Sequence, residues 1–192
     1  MALILVSPPA GEPVTLAEAK RDMRIDDDFT EHDLLIEANI TAAREQFERV
    51  CNRAFIGQQW EMTAARFPLP GESIVLPFSP LISIDSVAWQ DTAGNWNLLE
   101  EEVGYFIDAS EPPKIVAHSW PVTRGTPGSV KITFTAGYGA ADDVPEGIKN
   151  AIRMFCKAEF EASFQASSGS EYERRMAAVT ALITPFRVFQ FV

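Results

Sequence analysis

One stretch decides the fold: residues 131–164 read KITFTAGYGAADDVPEGIKNAIRMFCKAEFEASF. At its start, apolar residues alternate with polar ones at Val130, Ile132 and Phe134, which is the period of a half-buried strand. The sequence Gly137-Tyr138-Gly139 ends this alternation. The first part of the stretch is therefore predicted to lie in a sheet.

A helix is predicted to follow this strand and to run to about Phe164. Asp142 or Asp143 can act as its N-cap, and Pro145 falls near the first helical position, where a missing N–H costs nothing. The apolar residues drift around this helix, so we expect it to contact more than one neighbour; they are Ile148, Ile152, Cys156, Phe160 and Phe164. The best candidate for a neighbour is the helix that ends near Asn52.

The composition is that of an ordinary globular protein. The chain has 192 residues, of which 46% are hydrophobic and 22% charged, enough for one core or for a small core with an inserted subdomain. A formal net charge of −11 argues against a module that binds nucleic acid by neutralising phosphates. Two cysteines, Cys51 and Cys156, are too few for a disulfide framework and lack zinc-ligand spacing. Met1 to Val6 is too short for a signal peptide, so we expect reduced thiols and synthesis in the cytoplasm.

The N-terminal part is predicted to be helical. Thr15 and Glu18 form a capping box that opens a short helix to about Arg24. The acidic run that follows, Asp26 to Asp33, does not have the spacing of a calcium loop and suits a helix start. No metal site is predicted.

The second helix, which ends near Asn52, carries two apolar stripes. One comprises Ile36, Ile40, Ala43, Phe47, Val50 and Ala54, and the other Leu34, Leu35, Ala38 and Ala42. Two stripes indicate contacts on two sides. The helix is then either a central core helix or one that gives part of its surface, at Ile36, Ile40 and Phe47, to a neighbouring subunit. The sequence leaves both alternatives open.

Between Gly57 and Gly137 the pattern changes to short strands separated by turns. Seven runs are predicted as strands: Gln59 to Ala65, Ser73 to Leu76, Ile82 to Gln90, Trp96 to Leu99, Tyr105 to Ile107, Lys114 to His118 and Ser129 to Ala136. Asp91 to Asn95 supplies a hairpin turn. The prediction is an α+β fold, a small helical bundle with an inserted antiparallel sheet or barrel-like subdomain. The helical domain is expected to span 1–56 and 138–192, and the insertion 57–137.

The chain offers few residues for chemistry. His32 and His118 have no signalled nucleophile or metal partner, and no catalytic, phosphate-binding or dinucleotide motif is present. The run Glu100 to Glu102 is more typical of a solvated loop than of a carboxylate pair. No catalytic residue and no cofactor are predicted, and the protein is not expected to be an enzyme.

The C-terminal segment is predicted to contact something apolar. A last helix runs from Glu171 to about Ile183, and Pro185 stops it. The tail from Phe186 to Val192 is apolar and aromatic with one cation. Such a tail either folds back on its own core or inserts into a partner.

Several strings occur in an order that resembles the head–tail connector (adaptor, or head-completion) family of long-tailed phages and gene transfer agents, in the branch with a β insertion. They are Pro13 to Lys20 with Arg24-Ile25-Asp26, Leu34 to Arg53, Leu76 to Pro80, Val87 with Gly94, Trp120-Pro121, Ile132 to Tyr138, Val144 to Ile152, and Leu182 to Arg187. Together they cover nearly the whole chain. The run Val188 to Val192 departs from the family pattern.

The resemblance implies a structural role in the virion neck, in a protein made in the bacterial host cytoplasm. Members form a ring below the portal and extend the DNA channel toward the tail. The implied partners are the portal protein, a tail-side neck or stopper protein, and other copies of the chain. DNA passes through without sequence-specific binding, and no membrane is involved. The portal contact carried over from the family comprises Thr184, Pro185, Phe186, Arg187, Val188 and Phe189.

An alternative is a carbohydrate- or peptide-binding module that uses the tryptophan-rich strands. Burial of all four tryptophans, Trp60, Trp89, Trp96 and Trp120, would remove the basis for it. A hydrolase with two facing carboxylates is a third reading, for which none of the usual motifs is present.

Overall fold

The computed structural model describes residues 1–164 and 169–189 and divides into two compact units. The strand unit comprises Met1–Ala10, Gly57–Tyr138 and the tail residues Val188 and Phe189. The helical unit comprises Gly11–Ile56 and Gly139–Arg187. The fold is mixed α+β, as the sequence predicts, while the domain boundaries stay a prediction.

The helical unit contains α1 (Leu16–Met23), α2 (Asp33–Cys51), α3 (Glu146–Phe164) and α4 (Gly169–Ile183). The predicted capping box opens α1: Glu18 N donates to Thr15 Oγ1 at 3.2 Å, and Thr15 N donates to Glu18 Oε2 at 2.8 Å. Among the described helices, none combines the length and the apolarity that a transmembrane span requires.

The core of the helical unit lies between α2 and α3. The rings of Phe47 and Phe155 meet edge to face with their centroids 5.6 Å apart. Other fully buried residues come from the same two helices: Ile36, Ile40, Ala43, Ile148, Ala151 and Ile152. The predicted contact between α3 and the helix ending near Asn52 is confirmed.

The strand unit contains two antiparallel sheets in the part of the chain that the structure describes. The strands are β1 (Ala2–Ser7), β2 (Gln58–Ala64), β3 (Ile74–Val75), β4 (Leu81–Gln90), β5 (Trp96–Leu99), β6 (Phe106–Asp108), β7 (Lys114–Val116) and β8 (Val130–Ala136). The five-stranded sheet has the order β1-β2-β8-β4-β5, and the three-stranded sheet β3-β7-β6. Both sheets are open, so the barrel-like alternative is not realised within the described residues.

Strand β8 occupies the centre of the larger sheet. Its alternating residues Val130, Ile132 and Phe134 are buried, as the period predicts. Ile132 is aligned with Met62 of β2 and Val87 of β4, which are also buried. This row of side chains forms the core face of the sheet.

The start of α3 differs from the prediction. Asp143 does not cap α3, because its carboxylate accepts the N–H of Ala140 at 3.0 Å and closes a short 3₁₀ turn ahead of the helix. Helix α3 begins at Glu146, and the carbonyl oxygen of Pro145 accepts the N–H of Ile148 at 2.9 Å. Pro145 therefore precedes the helix, and Asp143 stabilises the turn before it.

Candidate interaction surfaces

The first stripe of α2 is enclosed by its own chain except at Val50, near the end of the helix. Ile36, Ile40 and Phe47 are 0%, 2% and 4% exposed. The core alternative therefore describes this stripe, because α3 covers it. A contact between α2 and a neighbouring subunit would have to use other residues than these three.

Most of the second stripe of α2 faces outward, whereas Leu35 is half-buried. Leu34 is 83% exposed, and Ala38 and Ala42, one and two turns further on, are exposed as well. Val50, near the end of the same i, i+4 row, is 44% exposed. This outward stripe is the part of α2 that a neighbour could cover.

A buried ion network stabilises α2. Arg44 Nε lies 2.8 Å from Glu12 Oε2, and Arg44 Nη1 lies 3.1 Å from Glu48 Oε2. Glu48 Oε1 also accepts the N–H of Phe55 at 2.7 Å. Burial lowers the pKa of Arg44, but its hydrogen bonds with Glu12 and Glu48 and their charges outweigh burial and raise the pKa. The network joins the segment before α1, the middle of α2 and the chain after α2.

The predicted portal segment follows α4 directly. Thr184–Phe186 form a 3₁₀ turn, and Arg187 N donates to Thr184 O at 3.2 Å. Arg53 Nε donates to the carbonyl oxygen of Phe186. The ring of Phe186 lies so close to Gly147 of α3 that a Cβ added there would be 3.0 Å from Phe186 Cζ. The turn is therefore held in place by α3 and by the chain after α2.

The side chains of this segment differ in exposure. Thr184, Pro185 and Arg187 are exposed, Phe186 and Val188 are half-buried, and Phe189 is 62% exposed. Residues 190–192, the end of the run that departs from the family pattern, lie outside the described part. Contact with a portal stays a prediction.

The sequence pattern did not reveal Arg53 and Gly147, the residues that position Phe186. Arg53 is 133 residues from its partner, and Gly147 falls within the first turn of α3. No local motif marks either contact. A glycine inside a helix start was the available signal, since close packing is one reason for glycine in that position.

The thiols lie in the core of the helical unit. Burial raises the pKa of Cys51 to about 11, although Arg53 and Arg187 act in the opposite direction. Burial likewise raises the pKa of Cys156 to about 12. Both cysteines are free, and a thiolate nucleophile at neutral pH is not available at either position.

The histidines contact aromatic rings. His32 packs with Phe29, Phe160 and Phe164 at centroid distances of 5.3, 5.4 and 4.6 Å. His118 meets Phe106 at 5.8 Å. No group of three or more histidine, cysteine or acidic side chains in residues 1–164 and 169–189 is arranged to hold a metal ion.

The four tryptophans do not form one platform. Trp89 and Trp96 lie on opposite faces of the sheet, since they occupy adjacent rows of the β4–β5 ladder. Trp96 is 48% exposed, whereas Trp60, Trp89 and Trp120 are half-buried. Trp60 packs on Phe78 at 4.5 Å and Trp120 on Phe67 at 4.8 Å. Burial of all four, which would remove the binding-module alternative, is not observed.

Comparison with known proteins gives one family and one group of structures. Residues 13–101, which run from before α1 to just after β5, match the phage gp6-like head-tail connector proteins. No curated protein matches the chain.

Three similar solved structures come from gene transfer agent (GTA) particles. A chain of the neck of an empty GTA particle computed with C6 symmetry is 22% identical, with a TM-score of 0.81. Chains of the virion of a native GTA particle and of the neck of a native particle computed with C12 symmetry are each 20% identical, with TM-scores of 0.78 and 0.75. Each match covers 100% of this chain and 98% of the other. The helical unit, the strand unit and the segment after α4 therefore occur together in one known fold.

The family resemblance read from the sequence is therefore confirmed, with residues 13–101 carrying the match to the phage gp6-like head-tail connector proteins.

Proposed function

We propose that this protein is a structural component of the neck of a phage or gene transfer agent particle. Several copies form a ring below the portal and extend the DNA channel toward the tail. The portal protein lies on one side and a tail-side neck protein on the other. In this role the protein is not an enzyme.

One observation carries the proposal. The whole chain, including the strand unit and the segment after α4, has the fold of chains found in GTA necks, at a TM-score of 0.81. The family match at residues 13–101 supports the same role independently of the segment after α4.

The closing segment supports a portal contact. The turn Thr184–Phe186 is anchored through Arg53 and Gly147, so the residues after it start from a fixed point. Arg187 and Phe189, which are both exposed, then add a cation and an aromatic ring, and both residue types are enriched in protein interfaces. A preformed anchor lowers the entropy lost on binding.

The charge of the chain suits a passage for DNA. With a net charge of −11, a ring of copies repels phosphates instead of neutralising them. Packaged DNA then passes through the ring without binding tightly to it. Sequence-specific DNA binding is not part of this role.

The experiment is a docking assay with the portal protein. The full chain and a variant ending at Thr184 are mixed with purified portal, and complexes are separated by sedimentation. The proposed role predicts a portal–ring complex with the full chain and its loss with the shortened one. A variant with Leu98→Ser, changed at an exposed residue of β5 that the proposed contact does not use, is the control. Absence of a complex with the full chain contradicts the proposed role, whereas equal docking of the shortened variant contradicts only the contact assignment.

A further inference from the structure

The strand unit contains a cavity of about 300 Å³ that combines aromatic, proline and arginine side chains. The rings of Phe67 and Trp120 stack on its wall, with centroids 4.8 Å apart and planes 11° from parallel. Trp120 Nε1 donates to the carbonyl oxygen of Glu72 at 3.1 Å, and Thr123 Oγ1 to that of Ala65 at 3.2 Å. These bonds fix the wall of the cavity.

Arg66 and Arg124 line the same cavity. A Cβ added to Gly125 would lie 3.2 Å from Arg66 Nε, and one added to Gly94 would lie 2.9 Å from Arg124 Nη1. Both glycines have positive φ, 80° and 94°, and their missing side chains leave room for the guanidinium groups. The two arginines are therefore positioned against the backbone at the rim of the cavity.

Neither arginine has an ion-pair partner among the described residues. Other cations of the chain do: Lys131, for example, lies 3.8 Å from Glu61. The residue ranges of the strand unit hold nine acidic side chains and four basic ones, so two of its four cations converge on this cavity. The cavity thus suits a ligand with carboxylates and a small apolar side chain.

The strand unit itself presents a segment of this composition. Glu100, Glu101 and Glu102 are followed by Val103, which is 82% exposed. The backbone of this acidic turn is fixed, because Glu102 N donates to Tyr105 O and Gly104 N to Glu100 O, both at 2.8 Å. Tyr105 is buried, and burial together with the charge of Glu101 raises its pKa. None of the three glutamates has an ion-pair partner in the part of the chain that the structure describes.

The cavity and the acidic turn lie at opposite ends of β5. Arg124 contacts Gly94, in the turn that precedes β5, whereas the acidic turn follows Leu99. The four residues of β5 span roughly 13 Å at about 3.3 Å per residue, and no ion pair joins the arginines to the acidic turn within the described part of one copy. The acidic turn of one copy therefore does not fill the cavity of the same copy, but it can fill that of another.

We infer that the acidic turn of one copy, Glu100–Val103, binds the cavity lined by Arg66 and Arg124 in the next copy. The carboxylates pair with the two guanidinium groups, and Val103 covers the Phe67–Trp120 stack. This inference rests on the proposed ring. Two different surfaces meet in such a contact, and repeated head-to-tail contacts form a ring when the rotation from copy to copy closes on itself. A DNA phosphodiester is the competing ligand, but two arginines on a chain of net charge −11 provide little attraction for a polyanion.

Charge exchange tests the pairing in full-length protein assembled on the portal. We expect R66E with R124E, or Glu100→Lys with Glu101→Lys, to lower the yield of rings by about tenfold or more, because like charges then face each other. Combining all four substitutions restores opposite charges and should restore most of the yield. The control is R21E with R174E, which makes the same change in net charge at exposed positions of the helical unit. Far-ultraviolet circular dichroism checks that each variant is folded.

The outcomes separate this inference from the proposed function. Rings that form equally well with the cavity variants and with the control overturn the inference and leave the ring intact. Failure of the unaltered chain to form any ring with the portal overturns both. The third outcome is that the protein binds a DNA duplex, loses this binding in R66E with R124E, and keeps its ring yield. The cavity then binds a phosphodiester instead of the acidic turn, which also overturns the inference.

Cysteine cross-linking tests the same contact without reversing a charge. Copies carrying Arg124→Cys are mixed with copies carrying Glu101→Cys and treated after assembly with a short bis-maleimide, because an arginine–glutamate pair holds its Cβ atoms too far apart for a direct disulfide. The pairing predicts cross-linked dimers in the mixture and several-fold fewer in either preparation alone. Cys51 and Cys156 are buried and do not compete. A mixture that cross-links no better than the separate preparations contradicts the inference.

Discussion

Replacing Arg44 by alanine tests how much the buried ion network stabilises the helical unit. The side chains of Arg44 and Glu48 are only 8% and 9% exposed, and that of Glu12 is 28% exposed. Without the arginine, the Glu48 carboxylate keeps the N–H of Phe55 but loses its 3.1 Å contact with Arg44 in a nearly dry position. Breaking a buried pair costs about 3–5 kcal/mol, and because Glu48 keeps other contacts we expect a loss at the lower end, about 3 kcal/mol.

Urea unfolding with two probes provides the measurement. Far-ultraviolet circular dichroism reports mainly on the helices of the helical unit, whereas all four tryptophans belong to the strand unit. The dichroism transition of Arg44→Ala should move to lower urea, with the loss in free energy of unfolding estimated above. Tryptophan fluorescence shows whether the strand unit unfolds in the same transition.

Arg49→Ala is the matched control on the same helix. Arg49 is 76% exposed and lies 3.9 Å from Glu45, so its loss should change the free energy of unfolding by no more than about 0.5 kcal/mol. Equal losses in the two variants would refute the reasoning, because burial of the charge is the stated cause of the difference.

Three further predictions concern the helix start, the closing segment and the thiols. A backbone hydrogen bond from Thr15 lowers the pKa of Glu18 below its ordinary value of 4.5. The contribution of Glu18 to stability is therefore present above that pH and is lost as the pH falls through the lowered pKa. The difference in free energy of unfolding between the wild type and Glu18→Gln should shrink in the same pH range. Gly147→Val should displace the ring of Phe186 and weaken portal docking at least several-fold in the sedimentation assay, although no predicted contact residue is changed; unaltered docking would show that the anchored turn is dispensable. Cys51 and Cys156, with pKa values of about 11 and 12, should resist iodoacetamide at pH near 8 until urea unfolds the chain, and rapid alkylation of the native protein would contradict their burial.

Features that depend on local chemistry were predictable from the sequence. The alternation at Val130, Ile132 and Phe134 fixes one face of β8, because successive side chains of a strand point to opposite faces. The capping box at Thr15 and the turn at Asp91 each depend on a hydrogen bond a few residues away. Each of the seven predicted strands overlaps one strand of the structure, β2 to β8, for the same reason.

Features that depend on distant partners were not predictable. Periodicity shows that Ile36 and Phe47 are buried but not which chain buries them, so the core and subunit alternatives had equal support. Strand β1 shows no alternation of buried and exposed residues, because all six of its residues are exposed. Only its pairing with β2 makes it a strand. The link between Arg53 and Phe186 spans 133 residues and follows no motif.

The candidate site was predicted through the family resemblance, while its geometry came from the structure. The portal contact at Thr184 to Phe189 is carried over from a known family, whose closing motif resembles Leu182 to Arg187, and this contact stays a prediction. Arg66 and Arg124 belong to no motif, and only the fold brings them to one cavity. Residues that only long-range packing brings together therefore could not be identified from local sequence patterns.

Electron cryomicroscopy of particle necks tests the neck role most directly. Particles are prepared from cells that produce this chain and from cells in which its gene is deleted. The proposed function predicts a ring between portal and tail whose density fits both the helical and the strand units, and its loss, together with attached tails, on deletion. Complete necks in particles that lack the chain would contradict the proposed function.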